Sequence, residues 1–103
     1  MKVNLYAVYD RASGVYDGPI PGHSDGAMIR NFSDMAVNPE HQIGKHPEDY
    51  TLFKVGTWND GTGELVDVIS EKLINGGEAI AASRNIEPGS LEGADILKVG
   101  GNA

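Results

Sequence analysis

The sequence predicts an α+β fold, in which a small antiparallel sheet of about four strands, built from two hairpins, carries one helix on a face. Three observations lead to this prediction. Residues 3–9 and 50–57 alternate in side-chain character as strands do, and each run is followed by a glycine-containing turn and a second apolar run. Between them, residues 25–36 have apolar positions at helical spacing. The expected order of elements is therefore ββαββ.

The first hairpin begins with residues 3–9, which are rich in the β-branched and aromatic residues that favour strands. Residues 10–14 read as a turn in which Gly14 supplies a positive φ, and Val15 and Tyr16 return as a short partner strand. Residues 17–22 contain two prolines and two glycines, so we expect a loop there.

The helix is expected to begin near Asp25, because Ser24 or Asp25 offers an N-cap, and to end at Ala36 before Asn38-Pro39. Five apolar residues in this stretch are three or four positions apart and form one stripe: Met28, Ile29, Phe32, Met35 and Ala36.

The second hairpin follows a polar loop over residues 39–49. Residues 50–57 form a strand, Asp60-Gly61 favours a tight turn, and residues 64–69 return. We therefore expect a single α+β domain over residues 1–69. Beyond it the pattern weakens, because Gly76-Gly77 interrupts a short helix around Ile80 and residues 85–103 contain four glycines and a proline. Residues 70–103 are predicted to be a weakly structured, flexible C-terminal extension.

Composition excludes several classes of function. The chain has no cysteine, so it has no disulfide and no thiol nucleophile. Its formal charge is -7, with 8 Lys+Arg against 15 Asp+Glu, whereas generic duplex-DNA binders are usually basic. The start of the chain lacks the apolar run of a signal peptide, and no segment has the roughly 18 apolar residues of a membrane span. We expect a protein that is not exported and has no membrane partner.

Residues 38–53 carry the most distinctive string of the chain, which includes Gly44-Lys45-His46-Pro47-Glu48-Asp49-Tyr50. This string resembles the small nonstructural protein family of gokushoviruses, which are single-stranded DNA phages of the Microviridae. Residues 30–34, Gly56, residues 62–65 and the opening strand ending in Tyr9-Asp10 are similar to that family too. The resemblance covers about residues 1–66.

The resemblance implies a phage protein of the host bacterial cytoplasm, without an assigned active site to carry over. By genome role, members of that family look like counterparts of the microvirus protein that redirects replication toward single-stranded genomes. The expected function is thus a non-enzymatic accessory of viral DNA replication, which favours single-stranded genome synthesis and packaging through contacts with the phage replication initiator or host replication proteins. Two alternatives stay open: an oligomeric single-stranded DNA-binding protein, and an assembly or scaffolding factor.

Six residues are candidates for binding nucleic acid or a partner protein. Strict alternation along residues 50–58 places Tyr50, Lys54 and Trp58 on the outward face with Tyr6, and turns Phe53 and Val55 toward the helix. Such a face fits a base-stacking platform or, as the preferred interpretation, a homodimer or higher homo-oligomer interface. Arg30, Lys45 and His46 are candidates for phosphate contacts, with Arg30, Lys45 and Lys54 forming one groove in an oligomer.

No cofactor, metal or catalytic set is expected. His23, His41 and His46 with Glu48 and Asp49 fit no common metal-binding spacing. Gly44-Lys45 lacks the upstream glycine of a phosphate loop, and His46 stands where Ser or Thr would bind magnesium. The aspartates lie at turns and helix ends, where they commonly cap backbone amides, so we do not expect an enzyme.

Overall fold

The computed structural model describes residues 1–85. Its elements, in chain order, are β1 (Lys2–Asp10), β2 (Val15–Gly22), α1 (Asp25–Ala36), α2 (Gln42–Lys45), a 3-10 turn (Pro47–Asp49), β3 (Tyr50–Asn59), β4 (Glu64–Asn75) and α3 (Gly76–Asn85). The four strands form one antiparallel sheet in the order β2-β1-β3-β4. This confirms the α+β prediction and its two hairpins, but helices α2 and α3 add to the expected ββαββ order.

Strand β2 is longer than the sequence suggested, because the loop expected at residues 17–22 is part of it. Tyr6 pairs with Ile20 while Val8 pairs with Asp17, so a bulge at Gly18 and Pro19 lies opposite Ala7. The prolines are tolerated because β2 is an edge strand, on which missing donors do not break the sheet. Gly18 is required: its φ is +128°, and a Cβ there would lie 3.1 Å from the carbonyl oxygen of Tyr6.

Helix α1 has the bounds that the sequence predicts. The Ser24 hydroxyl accepts a hydrogen bond from the amide of Ala27 at 3.1 Å, which satisfies one of the free donors of the first turn. Its apolar stripe packs on one side of the sheet, which we call the helix side. The buried core there consists of Tyr6, Phe32, Ala36, Ile43, Tyr50, Leu52 and Ala79.

The expected domain boundary after Ile69 lies inside β4, which continues to Asn75 and leads directly into α3. Ala79 of α3 is 2% exposed and belongs to the core, so the folded unit extends through residue 85. The first residue of this helix is Gly76. A glycine is needed there because a side chain would collide with the backbone of Pro47. The remainder of the expected C-terminal extension, residues 86–103, lies outside the described residues.

Candidate interaction surfaces

The aromatic residues that the sequence placed on the outward face are divided between the two sides of the sheet. Tyr6 is fully buried and Tyr50 is 9% exposed, and both belong to the core under α1. Phe53 and Val55, which were expected to meet the helix, lie on the opposite side. The predicted assignment of faces was therefore wrong for β3.

Lys54 also lies on the helix side, where its side chain forms an ion pair. Its ammonium Nζ is 3.5 Å from Oδ1 of Asp25, at the start of α1, and the side chain is mostly buried. The same carboxylate oxygen accepts a hydrogen bond from the Tyr6 hydroxyl at 2.6 Å. Burial, and next the hydrogen bond to Asp25, raise the pKa of Tyr6 to about 12. These contacts tie Lys54 to the fold and leave little of it for a ligand.

A bulge in β3 explains why strict alternation failed. Leu5 pairs with Gly56 and Tyr6 pairs with Lys54, so Val55 is an extra residue on β3. Since a slip of one position moves every later side chain to the other face, Trp58 leaves the face of Lys54 and pairs with Val3. Of the four residues predicted to share a surface, only Trp58 lies on the side away from the helices.

The side of the sheet opposite the helices carries a second set of apolar residues. We call it the open face, and it consists of Val3, Leu5, Ala7, Tyr9, Tyr16, Phe53, Val55, Trp58 and Val68. The ring centroids of Tyr9 and Tyr16 are 4.8 Å apart, and those of Tyr16 and Phe53 are 5.4 Å apart. A cavity of about 320 Å³ opens beside this cluster above Ala7, with walls from Tyr16, Pro19 and Val55. The sequence signal for this face was the two-sided apolar pattern of β1 and β3.

The distinctive string at residues 44–50 forms a packed junction rather than a cleft. Gly44 lies against the carbonyl group of Asn38 so closely that no side chain fits. The His41 ring accepts a hydrogen bond from the amide of Ile43 at its Nδ1 atom, 3.1 Å away, and so caps α2. Asp49 binds Arg11 of the first turn at 2.6 Å. These contacts give Gly44 and Asp49 a structural role.

The same junction is tied to the end of β4. The side-chain amide of Asn75 donates to the carbonyl oxygens of Glu48 and Tyr50, each at 3.1 Å, and to the Thr51 hydroxyl at 3.0 Å. Lys45 and His46, by contrast, are exposed. Together with the exposed Glu48, they are the polar side chains of residues 44–50 for which no hydrogen bond or ion pair occurs within residues 1–85.

Comparison with known proteins places this fold in a phage family. The family model described as Phage ORF5 protein matches residues 3–80, which is about three quarters of the chain and runs from β1 into α3. The chain belongs to the phage ORF5 protein family. No curated protein and no solved structure matches it.

Three basic side chains within residues 1–85 of this ORF5-family protein are held in ion pairs. The ion pairs within residues 1–85 engage Arg11, Lys54 and Lys72, together with the N-terminal amine. Arg30, on the exposed side of α1, and Lys45 in α2 form no ion pair in this part of the chain. Of the predicted cationic groove, Arg30 and Lys45 are thus available for contacts, whereas Lys54 is not.

Among residues 1–85, no three side chains of His, Asp or Glu converge in a way that holds a metal ion. None of the helices in the same range has the length and apolar character needed to cross a lipid bilayer.

Proposed function

We propose that this ORF5-family protein is the gokushovirus-type nonstructural protein and acts as a non-enzymatic accessory of viral DNA replication. It favours single-stranded genome synthesis and packaging by contacting proteins of the replication complex, either the phage initiator or a host replication enzyme. The proposal rests on the family and on the resemblance of residues 38–53 to the gokushovirus proteins.

The observation that favours protein contacts over direct DNA binding is where the predicted DNA-binding residues lie in the fold. Tyr50 is in the core, Lys54 is paired with Asp25, and Trp58 lies on the opposite side of the sheet. Binding to a phosphate backbone requires several cations on one surface, because each neutralised phosphate contributes a salt-dependent share of the affinity. A chain of formal charge -7, in which Lys54 is already held by an acidic side chain, is better suited to a protein partner.

The contact residues in this proposal are Lys45 and His46. Gly44, Asp49 and Tyr50 of the same string have packing or hydrogen-bonding duties in the fold. Lys45 and His46 are exposed and make no such contact within residues 1–85, so both are available to a partner that binds the string. Arg30, exposed on α1, is the next candidate.

The test is an affinity pull-down from infected cells with the tagged full-length protein. We expect recovery of the replication initiator or a host replication enzyme, and reduced recovery with the double variant Lys45→Ala, His46→Ala. Lys2→Ala is the matched control, because Lys2 is an exposed lysine outside the string. If wild-type protein recovers neither partner under mild conditions, the proposal is wrong. Equal recovery by the double variant would remove Lys45 and His46 from the contact.

A second candidate function is direct binding of single-stranded DNA by an oligomer. It is favoured by the aromatic cluster of Tyr9, Tyr16 and Phe53, because single-strand binders stack bases on aromatic rings exposed on a sheet. Fluorescence anisotropy of a labelled oligonucleotide at low and moderate salt distinguishes the two functions. Binding that weakens with salt favours this second function, and undetectable binding in low salt removes it.

A further inference from the structure

The open face is an apolar surface that no helix of residues 1–85 covers. Helices α1, α2 and α3 contribute to the core on the other side of the sheet. On the open face, Tyr16 is 50% exposed, Trp58 is 38% exposed and Val68 is 81% exposed. Contiguous apolar patches of this kind mark interaction sites in folded proteins.

The open face has an inner layer as well as an exposed one. Leu5 is 9% exposed and Ala7 is 4% exposed, yet neither belongs to the core under the helices. Both lie on the central strand β1, and Tyr16, Val55 and Pro19 surround the cavity of about 320 Å³ above Ala7. This arrangement resembles one half of a core, with a space at its centre for a side chain from outside.

The strand pairing keeps acidic side chains off this face. Directly paired residues of antiparallel strands point to the same side of a sheet. By this rule, every acidic residue on the four strands points to the helix side, through its pairing with a residue of that side: Asp10 with Tyr50, Asp17 with Val8, Glu64 with Asn59, Asp67 with Thr57, and Glu71 with Lys54. Lys72 pairs with Phe53 at the edge of the open face, and its ammonium group binds Glu78.

We propose that the open face is the interface of a homodimer, in which two copies of the chain pack sheet against sheet about a two-fold axis. A chain with formal charge -7 repels its own copy over most of its surface, so a self-contact requires a face without acidic groups. The open face meets that requirement. The two sheets would stack about 10 Å apart, as the layers of a β-sandwich do.

The size of the face fits such an interface. β1 has nine residues and the sheet has four strands, so the face measures roughly 30 Å by about 15 Å from the usual rise and strand spacing. Protruding side chains raise its accessible area above this flat projection, toward the about 800 Å² that each partner contributes to a standard interface. The homodimer would form whether or not the protein acts in replication.

The experiment is sedimentation equilibrium of the full-length protein over a wide concentration range. We expect a particle of twice the 10.9 kDa chain mass. Tyr16→Asp and Val68→Asp should each raise the dissociation constant of the dimer by roughly 30-fold or more, because they place a charge in a desolvated contact. Ile20→Asp is the matched control: Ile20 is also on β2 and is 46% exposed, but it pairs with Tyr6 and points to the helix side.

The single tryptophan provides a second measurement. Trp58 lies in the proposed interface, so its emission should shift to longer wavelength when the wild-type dimer is diluted, and should be shifted already in Val68→Asp. Circular dichroism checks that each variant is folded. Should Tyr16→Asp fail to fold, Val68→Asp provides the test instead, because Val68 is 81% exposed.

Several results would contradict the proposed homodimer. One is a wild-type protein that stays monomeric at the highest concentration. Another is that folded Tyr16→Asp and Val68→Asp proteins dimerise as the wild type does. A third is that the control Ile20→Asp dissociates as much as Tyr16→Asp and Val68→Asp do. A monomer whose binding to single-stranded DNA is lost in Tyr16→Asp would assign the open face to nucleic acid instead.

Discussion

Tyr6 and Asp25 join the centre of the sheet to the first turn of α1. The Tyr6 hydroxyl donates a hydrogen bond of 2.6 Å to Oδ1 of Asp25, although the two residues are 19 positions apart in the chain. The Tyr6 side chain is fully buried, so its hydroxyl has no alternative partner in water. Lys54 Nζ, 3.5 Å from the same oxygen, completes a polar group that connects β1, β3 and α1.

We predict that Tyr6→Phe lowers the free energy of unfolding by about 1–3 kcal/mol, because a charge-assisted hydrogen bond is lost at the sheet–helix boundary. Urea denaturation measures this change. Tyr9→Phe is the control, because the half-buried Tyr9 packs its ring on Tyr16 and its hydroxyl forms no hydrogen bond within residues 1–85. Equal losses in the two variants would show that the contact between Tyr6 and Asp25 contributes nothing.

The raised pKa of Tyr6 predicts a loss of stability in alkali. The folded protein holds this proton up to about pH 12, whereas the unfolded chain loses it near the ordinary value of 10.0. The contribution of Tyr6 is therefore complete below pH 10 and declines as the pH rises from about 10 toward 12. Urea denaturation just below pH 10 and at points up to pH 12 should show a steeper decline for the wild type than for Tyr6→Phe. Parallel curves would contradict the assignment.

Gly44→Ala should strongly destabilise the fold, by about 1–3 kcal/mol or more, because the new Cβ collides with the backbone of Asn38. Gly26→Ala is the control: it lies in the first turn of α1 with nothing within 4 Å, so alanine should be neutral or stabilise by about 0.4–1 kcal/mol. Thermal and urea unfolding compare the two. A tolerated Gly44→Ala would contradict the structural role assigned to this glycine.

Elements with strong local signals were predictable from the sequence. Helix α1 was located to the residue because Ser24 caps it, its apolar stripe is regular, and Pro39 follows its end. Both hairpin turns were located as well, although in the second one the positive φ falls on Gly63 and not on Gly61. In these places, the local preference and the tertiary contacts favour the same structure.

The faces of β3 were not predictable in the same way. Tyr50 and Leu52 on one face and Phe53 and Val55 on the other are equally apolar, so the pattern with a period of two does not indicate which pair meets the helix. The bulge at Val55 then reverses the position of Trp58. The adjacent Gly56 is a residue type that often marks a bulge within a strand, but it does not specify one. The sequence therefore predicted an aromatic surface on the sheet, but of the residues assigned to it only Trp58 lies on the side away from the helices.

The C-terminal part of the fold was missed for a different reason. Gly76-Gly77 was interpreted as a helix breaker, but Gly76 is needed where the chain passes the Pro47 backbone, and the Gly77 amide is capped by the Asn75 side chain at 2.8 Å. Both are long-range or cap effects that helix propensity alone does not contain.

Asn75→Ala should separate the C-terminal helix from the rest of the fold. The Asn75 amide group donates to two carbonyl oxygens and one hydroxyl of residues 48–51, and its Oδ1 atom caps Gly77, so alanine leaves several partly buried groups without a partner. We expect a loss of about 2–4 kcal/mol in urea denaturation, and faster hydrogen exchange of α3 amides than of β1 amides. Asn31→Ala, an exposed change on α1, should have little effect. If Asn75→Ala leaves the exchange of α3 unchanged, other contacts hold the helix, such as the packing of Ala79 and the ion pair between Lys72 and Glu78.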